Sequence, residues 1–536
     1  MLVAVAGGAS GGGELRPLHA DGRPAGPVQR VADLASAIAD REARERPRWV
    51  WASTAASYPE LVRAGIRVRR CHDLELTEGL LLGYVGRAGE PRGVAAAWAR
   101  LSGTPVPMDP PPRATAPTGA GQPALFDALP GPSGPGLDAL IRVYADQCAR
   151  IAATARPDRF RLLVAAESAG ALAAAEMSAT GLPWRADVHD ELLRELLGEP
   201  SPVGGPPRRL AELAARIAEA LGVRQLHPDS PAEVLRAFAR VGIQLPNTRS
   251  WVLRQVEHPA VPLLLEYKER YRIWTAHGWG WRDSWVRGGR FRPEYVPSGV
   301  VSGRWATRGG GALQIPRIIR RAVRADPGWR LVVADAGQLE PRVLAAVSGD
   351  PRFAAAAGSG DLYAELARDS FGGDRAQAKL ALLGAMYGQT GGTAAPALAT
   401  LRLRYPKAFD FVETAARAGE AGELVRSWLG RTCPPAGGGE ARARGRFTRN
   451  FVIQATAAEW ALVWLATVRR ALADSVAELV FFQHDEVLVH APAVEAERVA
   501  RLLVAAAEEA GRLLFGDGPV RFPVDVSVVE CYADAT

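Results

Sequence analysis

At 536 residues, with 48% hydrophobic residues, the chain is long enough for several cores and too apolar to be disordered throughout. Lysine plus arginine (65) outnumber aspartate plus glutamate (58), a formal net charge of +7, and arginine greatly exceeds lysine, which favours planar, bidentate contacts to a polyanionic partner. The cysteines, Cys71, Cys148, Cys433 and Cys531, lie far apart with no C-x-x-C pair, which argues against a disulfide framework and a zinc site and for a reducing cytoplasm.

The N-terminus has neither a basic region nor a long apolar core, and no uninterrupted apolar run reaches the ~18 residues of a membrane span, so no membrane association is expected. Short strand-like runs at Leu2–Ala6, Trp49–Ala52 and Ile66–Val68 alternate with helical ones over the first ~160 residues, the pattern of an α/β unit. A stretch from Gly103 to Gly136 carries ten prolines and few large apolar groups, and reads as a long exposed loop or disordered insertion. After a second Pro/Gly punctuation at Glu199–Pro207, apolar residues spaced three and four apart predict a helix over Arg209–Leu221, stopped by Gly222. The chain stays helical to about Lys268, then turns Trp/Arg/Gly-rich from Trp274 to Arg308. That segment suits a groove for a nucleic-acid backbone, or equally a half-buried aromatic cluster with solvated arginines.

Leu331-Val-Val-Ala reads as a buried strand ending at Asp335, followed by a helix over Leu339–Val347 with Pro341 in its first turn. Leu479-Val-Phe-Phe and Val487-Leu-Val flank a short polar break at His484-Asp485, a hairpin with an acid at its tip. If the strand and the hairpin are neighbours in one sheet, Asp335 and Asp485 face one point. Two carboxylates that close repel unless cations neutralise them, which is the setting for two Mg²⁺ ions in phosphoryl transfer. Between them, Arg375, Lys379, Leu383 and Tyr387 recur every four residues and form one stripe of a helix, with both cations placed to meet a triphosphate.

In this order the motifs resemble family A DNA polymerases of the bacterial DNA polymerase I type, from about Gly170 to the C-terminus. The motif D-Y-S-Q-I-E-L-R of that family is here Asp335-Ala-Gly-Gln-Leu-Glu-Pro-Arg342. R-x-x-x-K-x-x-x-F-G-x-x-Y-G matches Arg375 to Gly388 except at its aromatic, and H-D-E is His484-Asp485-Glu486. Ser302-Gly-Arg304, Leu313-Gln-Ile-Pro316, Tyr405-Pro406 and the series Arg446, Asn450, Gln454 agree as well. The resemblance implies an α/β multidomain protein shaped as a right hand: thumb about 170–295, palm about 296–355 and 440–536, fingers about 356–439. An RNase H-like 3′–5′ exonuclease-type domain would occupy 1–169.

It implies template-directed addition of dNTPs to the 3′-hydroxyl of primer–template DNA by a monomer in the cytoplasm, associated with the nucleoid. Asp335 and Asp485 become the ligands of two Mg²⁺ ions, with Glu486 an acid beside them. Gln338, Glu340, Arg375, Lys379, Leu383 and Tyr387 become the nucleotide site, with Glu340 the steric gate against a ribose 2′-hydroxyl. Arg304, Arg446, Asn450, Gln454 and His484 become DNA contacts, the middle three on one helix face. Leu383 stands where the family carries an aromatic, and Ala336-Gly337 stands for Tyr-Ser.

In the N-terminal unit the nuclease acids are missing. Leu2–Ala6 is followed by Gly-Gly-Ala-Ser rather than carrying Asp-x-Glu, and Tyr144 is followed at the family's aspartate position by Cys148. No proofreading is expected, Asp73, Glu75 and Asp146 being the nearest acids, and no 5′-nuclease domain is expected ahead of it. A DNA-binding protein on a decayed polymerase scaffold is the alternative reading; a single-subunit RNA polymerase is disfavoured by Glu340.

Overall fold

The computed structural model describes residues 1–8, 11–111, 136–202, 204–308, 314–388 and 395–535. Most of the expected insertion (112–135) and Leu313 of the Leu-Gln-Ile-Pro match lie outside the described residues. The chain divides into two compact units. The larger comprises Met1–Thr180, Tyr295–Ala306 and Val332–Val528; the smaller comprises Gly181–Glu294, Thr307–Leu331 and Val529–Thr536.

The larger unit begins with a five-stranded sheet of order β3-β2-β1-β4-β5, formed by β1 (Leu2–Gly7), β2 (Gly13–Leu18), β3 (Gln29–Val31), β4 (Arg48–Trp51) and β5 (Arg70–Asp73). β1 pairs antiparallel with β2 and parallel with β4, and β4 pairs parallel with β5. Strict alternation sends Val3, Val5, Trp49 and Trp51 into one core with Leu15 and Leu172. Ala4 and Val50 go into a second core with Leu74, Leu137 and Leu140, so both faces are covered.

The strand expected at Ile66–Val68 does not form, and the edge strand is instead Arg70–Asp73. The backbone donors there are already spent. Ile66 N–H donates to Leu61 O (2.8 Å), closing the preceding helix, and Val68 N–H donates to the buried Tyr58 hydroxyl (3.1 Å).

The smaller unit holds a three-stranded sheet of order β6-β8-β7, made of β6 (Leu182–Pro183), β7 (Val286–Arg287) and β8 (Arg290–Phe291). Its predicted helix runs Arg208–Ala220, with Gly222 past its end at φ +64°. Two short strands, β9 (Tyr295–Val296) and β10 (Ala306–Thr307), pair with each other.

Four strands form the sheet that carries the acids: β11 (Trp329–Ala336), β12 (Glu478–Gln483), β13 (Glu486–Pro492) and β14 (Val524–Val529), in the order β12-β13-β11-β14. The Pro157–Thr180 helix packs on β12, and the 31-residue Ala441–Ala471 helix packs along the Pro406–Glu420 helix. That last crossing is close: a Cβ on Gly419 would fall 2.0 Å from Thr448 Oγ1, so only glycine admits this approach. The Pro157–Thr180 and Ala441–Ala471 helices are long and apolar enough to cross a membrane, but 67% and 83% of their apolar windows are buried inside the protein.

Candidate active site

β11 brings Asp335 to the sheet's edge as its penultimate residue, exposed between buried Ala334 and Ala336. The chain then bends sharply through Gly337 and Gln338, the latter at φ +57°, into the Leu339–Val347 helix. The β12–β13 hairpin turns through His484 and Asp485 alone, with His484 in the left-handed region at φ +58° and Gln483 paired with Glu486.

The two acid-bearing segments meet directly: Ala336 N–H donates to the Asp485 carbonyl at 3.0 Å, and on the other side Gly337 N–H donates to Pro523 O at 3.2 Å. Asp335 and Asp485 are therefore carried by backbone stretches one hydrogen bond apart. Burial pushes the Asp485 carboxyl above the ordinary carboxylate range; the Arg304 charge opposes the shift, and Glu340 and Glu486 add to it. Burial and Arg304 hold the His484 imidazole below its usual value, so it is neutral near pH 7. Its Nδ1 is buried with no hydrogen-bond partner among the described residues, and so is Asn450 Oδ1. Buried polar atoms left this way are rare in a closed core and ordinary where a polar ligand arrives.

Among the described residues no group of three or more His, Cys, Asp or Glu side chains is arranged to hold a metal. What the chain offers is an exposed Asp335 on a backbone stretch one hydrogen bond from that of Asp485, whose carboxyl is crowded by Glu340 and Glu486. That donor set fits Mg²⁺, which takes one or two protein carboxylates and completes its octahedron with water and phosphate oxygen.

Three of the candidate residues are bonded together. Arg304 Nη2 donates to Glu340 Oε1 at 2.7 Å and Tyr387 O–H donates to Glu340 Oε2 at 2.5 Å. The Glu340 side chain is only 14% exposed, so this clamp fixes one rotamer of a carboxylate that water hardly screens. Burial, reinforced by Glu340, pushes the Tyr387 hydroxyl up, which keeps it a donor.

The Arg375–Tyr387 helix opens on Asp374, whose carboxylate caps Gln377 N–H (3.0 Å), and ends on Gly388 at φ +72°. Ala378, Ala381, Leu382 and Ala385 are buried, so the stripe of Arg375, Lys379, Leu383 and Tyr387 faces outward: the two cations are exposed, the other two half-buried. Arg446, Asn450 and Gln454 lie similarly on the Ala441–Ala471 helix, exposed or half-buried between buried Gly445, Phe451 and Ala455.

Sequence reasoning missed three residues that hold this arrangement. Asp361 accepts from Gln338 Nε2 (2.8 Å), from Arg375 Nε (2.8 Å) and, as a helix cap, from Ala364 N–H (3.1 Å). Burial alone would raise its carboxyl, but these bonds outweigh burial and hold it below the ordinary range. The buried Tyr363 ring lies under both exposed cations of the stripe, 5.6 Å from the Arg375 guanidinium and 5.9 Å from Lys379 Nζ. Arg342 is fully buried and donates to five backbone carbonyls. Only Asp361 left a sequence signal, an Asp before an apolar helical run; the other two roles are purely tertiary.

The profile of DNA polymerase family A matches residues 207–534, more than half of the sequence. The chain belongs to DNA polymerase family A. It is 32% identical over 249 residues to DNA polymerase I of Chloroflexus aurantiacus, a match covering 40% of this chain and 26% of that one. It is 27% identical over 314 residues to the thermostable DNA polymerase I of Thermus aquaticus, covering 51% of this chain and 36% of that one. The matches therefore span about a quarter to a third of these relatives' length. The fold is similar to that of the POL domain of Pol1 from M. smegmatis, solved in complex with DNA primer-template and dNTP. That match has a TM-score of 0.71 at 18% identity and covers 99% of this chain and 95% of that chain.

Proposed function

We propose that the chain is a DNA-directed DNA polymerase that adds dNTPs to a primer 3′-hydroxyl, with Asp335 and Asp485 holding two Mg²⁺ ions. The observation that carries this reading is the Ala336–Asp485 hydrogen bond (3.0 Å), which sets the two acid-bearing segments side by side. Bound there, the ions supply charge to activate the hydroxyl and to steady the departing pyrophosphate.

The chain's own residues do the rest. Arg375 and Lys379 present two exposed cations on one helix face to the triphosphate, oriented by Asp361 and the Tyr363 ring. Glu340, clamped by Arg304 and Tyr387, cannot swing away from an incoming sugar, so it excludes a 2′-hydroxyl. Neutral His484 and the Arg446, Asn450, Gln454 stripe contact the primer end and the duplex minor groove, whose acceptors are shared by all base pairs. Leu383 lies in the stripe with Arg375, Lys379 and Tyr387, beside the incoming sugar, and Gln338 braces Asp361. Glu486 is buried at the start of β13 next to the ion site.

Division into thumb (170–295), palm (296–355 and 440–536) and fingers (356–439) is part of this reading, as are a monomeric state and a cytoplasmic, nucleoid-associated location. So is the absence of proofreading. Asp73 is buried and spends its carboxylate on Thr54 N–H (2.6 Å) and Leu76 N–H (2.9 Å), while Glu75 pairs with Arg92 and Asp146 with Arg150. These three nearest acids are thus engaged in structural contacts.

The test is extension of a labelled primer on a template with Mg²⁺ and dNTPs, followed by withdrawal of the dNTPs. Extension without later shortening is the expected result. Tight duplex binding with no extension would replace this reading with that of a DNA-binding scaffold.

A further inference from the structure

The Trp/Arg/Gly stretch is sorted by the structure into two parts. Several of its aromatics are core: Trp281, Phe291, Tyr295 and Trp305 are buried, and Trp281 packs against Trp184, Phe291 and His277 with ring centroids 5.4, 4.9 and 4.9 Å apart. Its arginines are not. Arg290 and Arg292 follow the Gly288-Gly289 turn and line a cavity of about 550 Å³ in the smaller unit, together with Arg185, Arg324 and Arg330. Asp326 and Glu530 are the acids in the lining, so five guanidinium groups face two carboxylates, a surplus of three positive charges.

Both acids have structural duties. Asp326 accepts two bonds from Arg290 (3.1 and 2.5 Å), tying the Asp326-Pro-Gly-Trp329 turn to β8, and Glu530 pairs with Arg330 at 2.9 Å. Arg292 donates to the Arg287 carbonyl (2.8 Å) and Arg324 to the Arg321 carbonyl (3.2 Å), contacts that orient each guanidinium at the cavity wall. Arg185 meets Asp187 only at the surface, where both side chains are 58% exposed and such a pair is weak. Partial desolvation, then the neighbouring Arg290 charge, depress Arg292 below the ordinary arginine value. An anion would relieve that crowding.

The remaining wall supplies the half-buried indole of Trp329 and bare backbone at Gly288, Gly289 and Gly328, all at positive φ. The volume is that of a small-ligand site. Planar cations beside an indole face suit a phosphate with a heteroaromatic ring attached.

We propose that this pocket is a second nucleotide-binding site, with phosphate on Arg292 and Arg324 and the base against Trp329. None of its residues belongs to the acid-bearing sheet's turn or to the Arg375–Tyr387 helix, so the site stands independently of the polymerase reading. A nucleotide could arrive free or as part of a single strand, and the two sources are separable.

The full chain is irradiated with 5-bromodeoxyuridine 5′-monophosphate, or with a five-nucleotide single strand carrying one bromodeoxyuridine, and crosslinked peptides are sequenced by mass spectrometry. Affinity for both probes is measured across salt concentrations in the wild type, in Arg292→Ala/Arg324→Ala, in Arg324→Glu at its exposed position, and in Asp485→Ala. The expected result is crosslinking at the peptide bearing Trp329 and binding at least about tenfold weaker in both arginine variants. The salt slope of the strand should fall by about 1 per arginine removed, and Asp485→Ala should change none of this. Crosslinking by the monophosphate assigns a free nucleotide, and crosslinking by the strand alone assigns a strand contact. No crosslink at Trp329 with either probe, or wild-type affinity in both arginine variants, overturns the proposal.

Discussion

Replacing Arg342 by methionine keeps a long unbranched side chain and removes every hydrogen bond of its guanidinium. Those bonds run from Nε to Gly337 O (3.2 Å), from Nη1 to Ala357 O (2.8 Å), Ser359 O (3.2 Å) and Arg521 O (3.0 Å), and from Nη2 to Gly360 O (2.5 Å). Hydrogen bonds to a charged group contribute roughly 1.5 kcal/mol each, so losing all five gives a gross loss of roughly 7–8 kcal/mol. Against this, the variant no longer buries a cation, which refunds several kcal/mol. A net destabilisation of about 3 kcal/mol remains.

With a urea slope near the upper end of the usual range, ~3 kcal/mol per molar, the unfolding midpoint should drop by about 1 M. Function should follow. The released 357–360 loop leads directly into Asp361, which orients Arg375, so KM for dNTP should rise by more than kcat falls. A midpoint unchanged within about 0.2 M would show that the carbonyls find water instead, and the reasoning would fail.

Other perturbations probe separate parts of the account. Glu340→Ala should lower the ratio of kcat/KM for a dNTP over its ribonucleotide by about a hundredfold or more, and Tyr387→Phe, which removes one of two clamps, by roughly three- to tenfold; equal ratios in all three proteins would remove Glu340 from sugar selection. Burial pushes the Glu459 carboxyl up to about 7, although Ser427 and the Leu429 N–H donate to it. Since its folded value lies above the unfolded 4.5, its contribution to stability is complete below that value and is lost as pH rises through about 7. The Tm of Glu459→Gln should accordingly gain on the wild type between about pH 5 and 8; parallel curves would contradict this. Gly388→Ala places a Cβ at φ +72° within 3.4 Å of Arg446 and should cost about 1 kcal/mol, seen as a fall of roughly 2 °C in Tm.

What the sequence revealed and what it hid divide along a physical line. The Leu339–Val347 helix, the two-residue turn at His484-Asp485 and the Arg375–Tyr387 stripe are set by local periodicity, and each forms where its pattern lies. Adjacency of the strand to the hairpin was a conditional inference; the sheet order β12-β13-β11-β14 meets the condition.

The failures are long-range. Val68 looks like a strand residue because it is β-branched, yet its N–H is taken by a tyrosine hydroxyl ten residues away. Arg342 was legible as part of a motif but not as the donor to carbonyls 15 to 179 residues distant. The Trp274–Arg308 stretch left two readings open, and packing divides it between them: Trp281 is core, while Arg290 and Arg292 line a charged cavity.

In the proposed mechanism Asp335 and Asp485 act in chemistry and not in holding DNA. Single-turnover incorporation of one dNTP and equilibrium binding of the same primer–template, both measured on one preparation of wild type, Asp335→Ala and Asp485→Ala, address it most directly. Incorporation should fall by a factor of about a thousand or more in each variant, with the duplex Kd within about threefold of wild type. Incorporation close to the wild-type rate in either variant would contradict it.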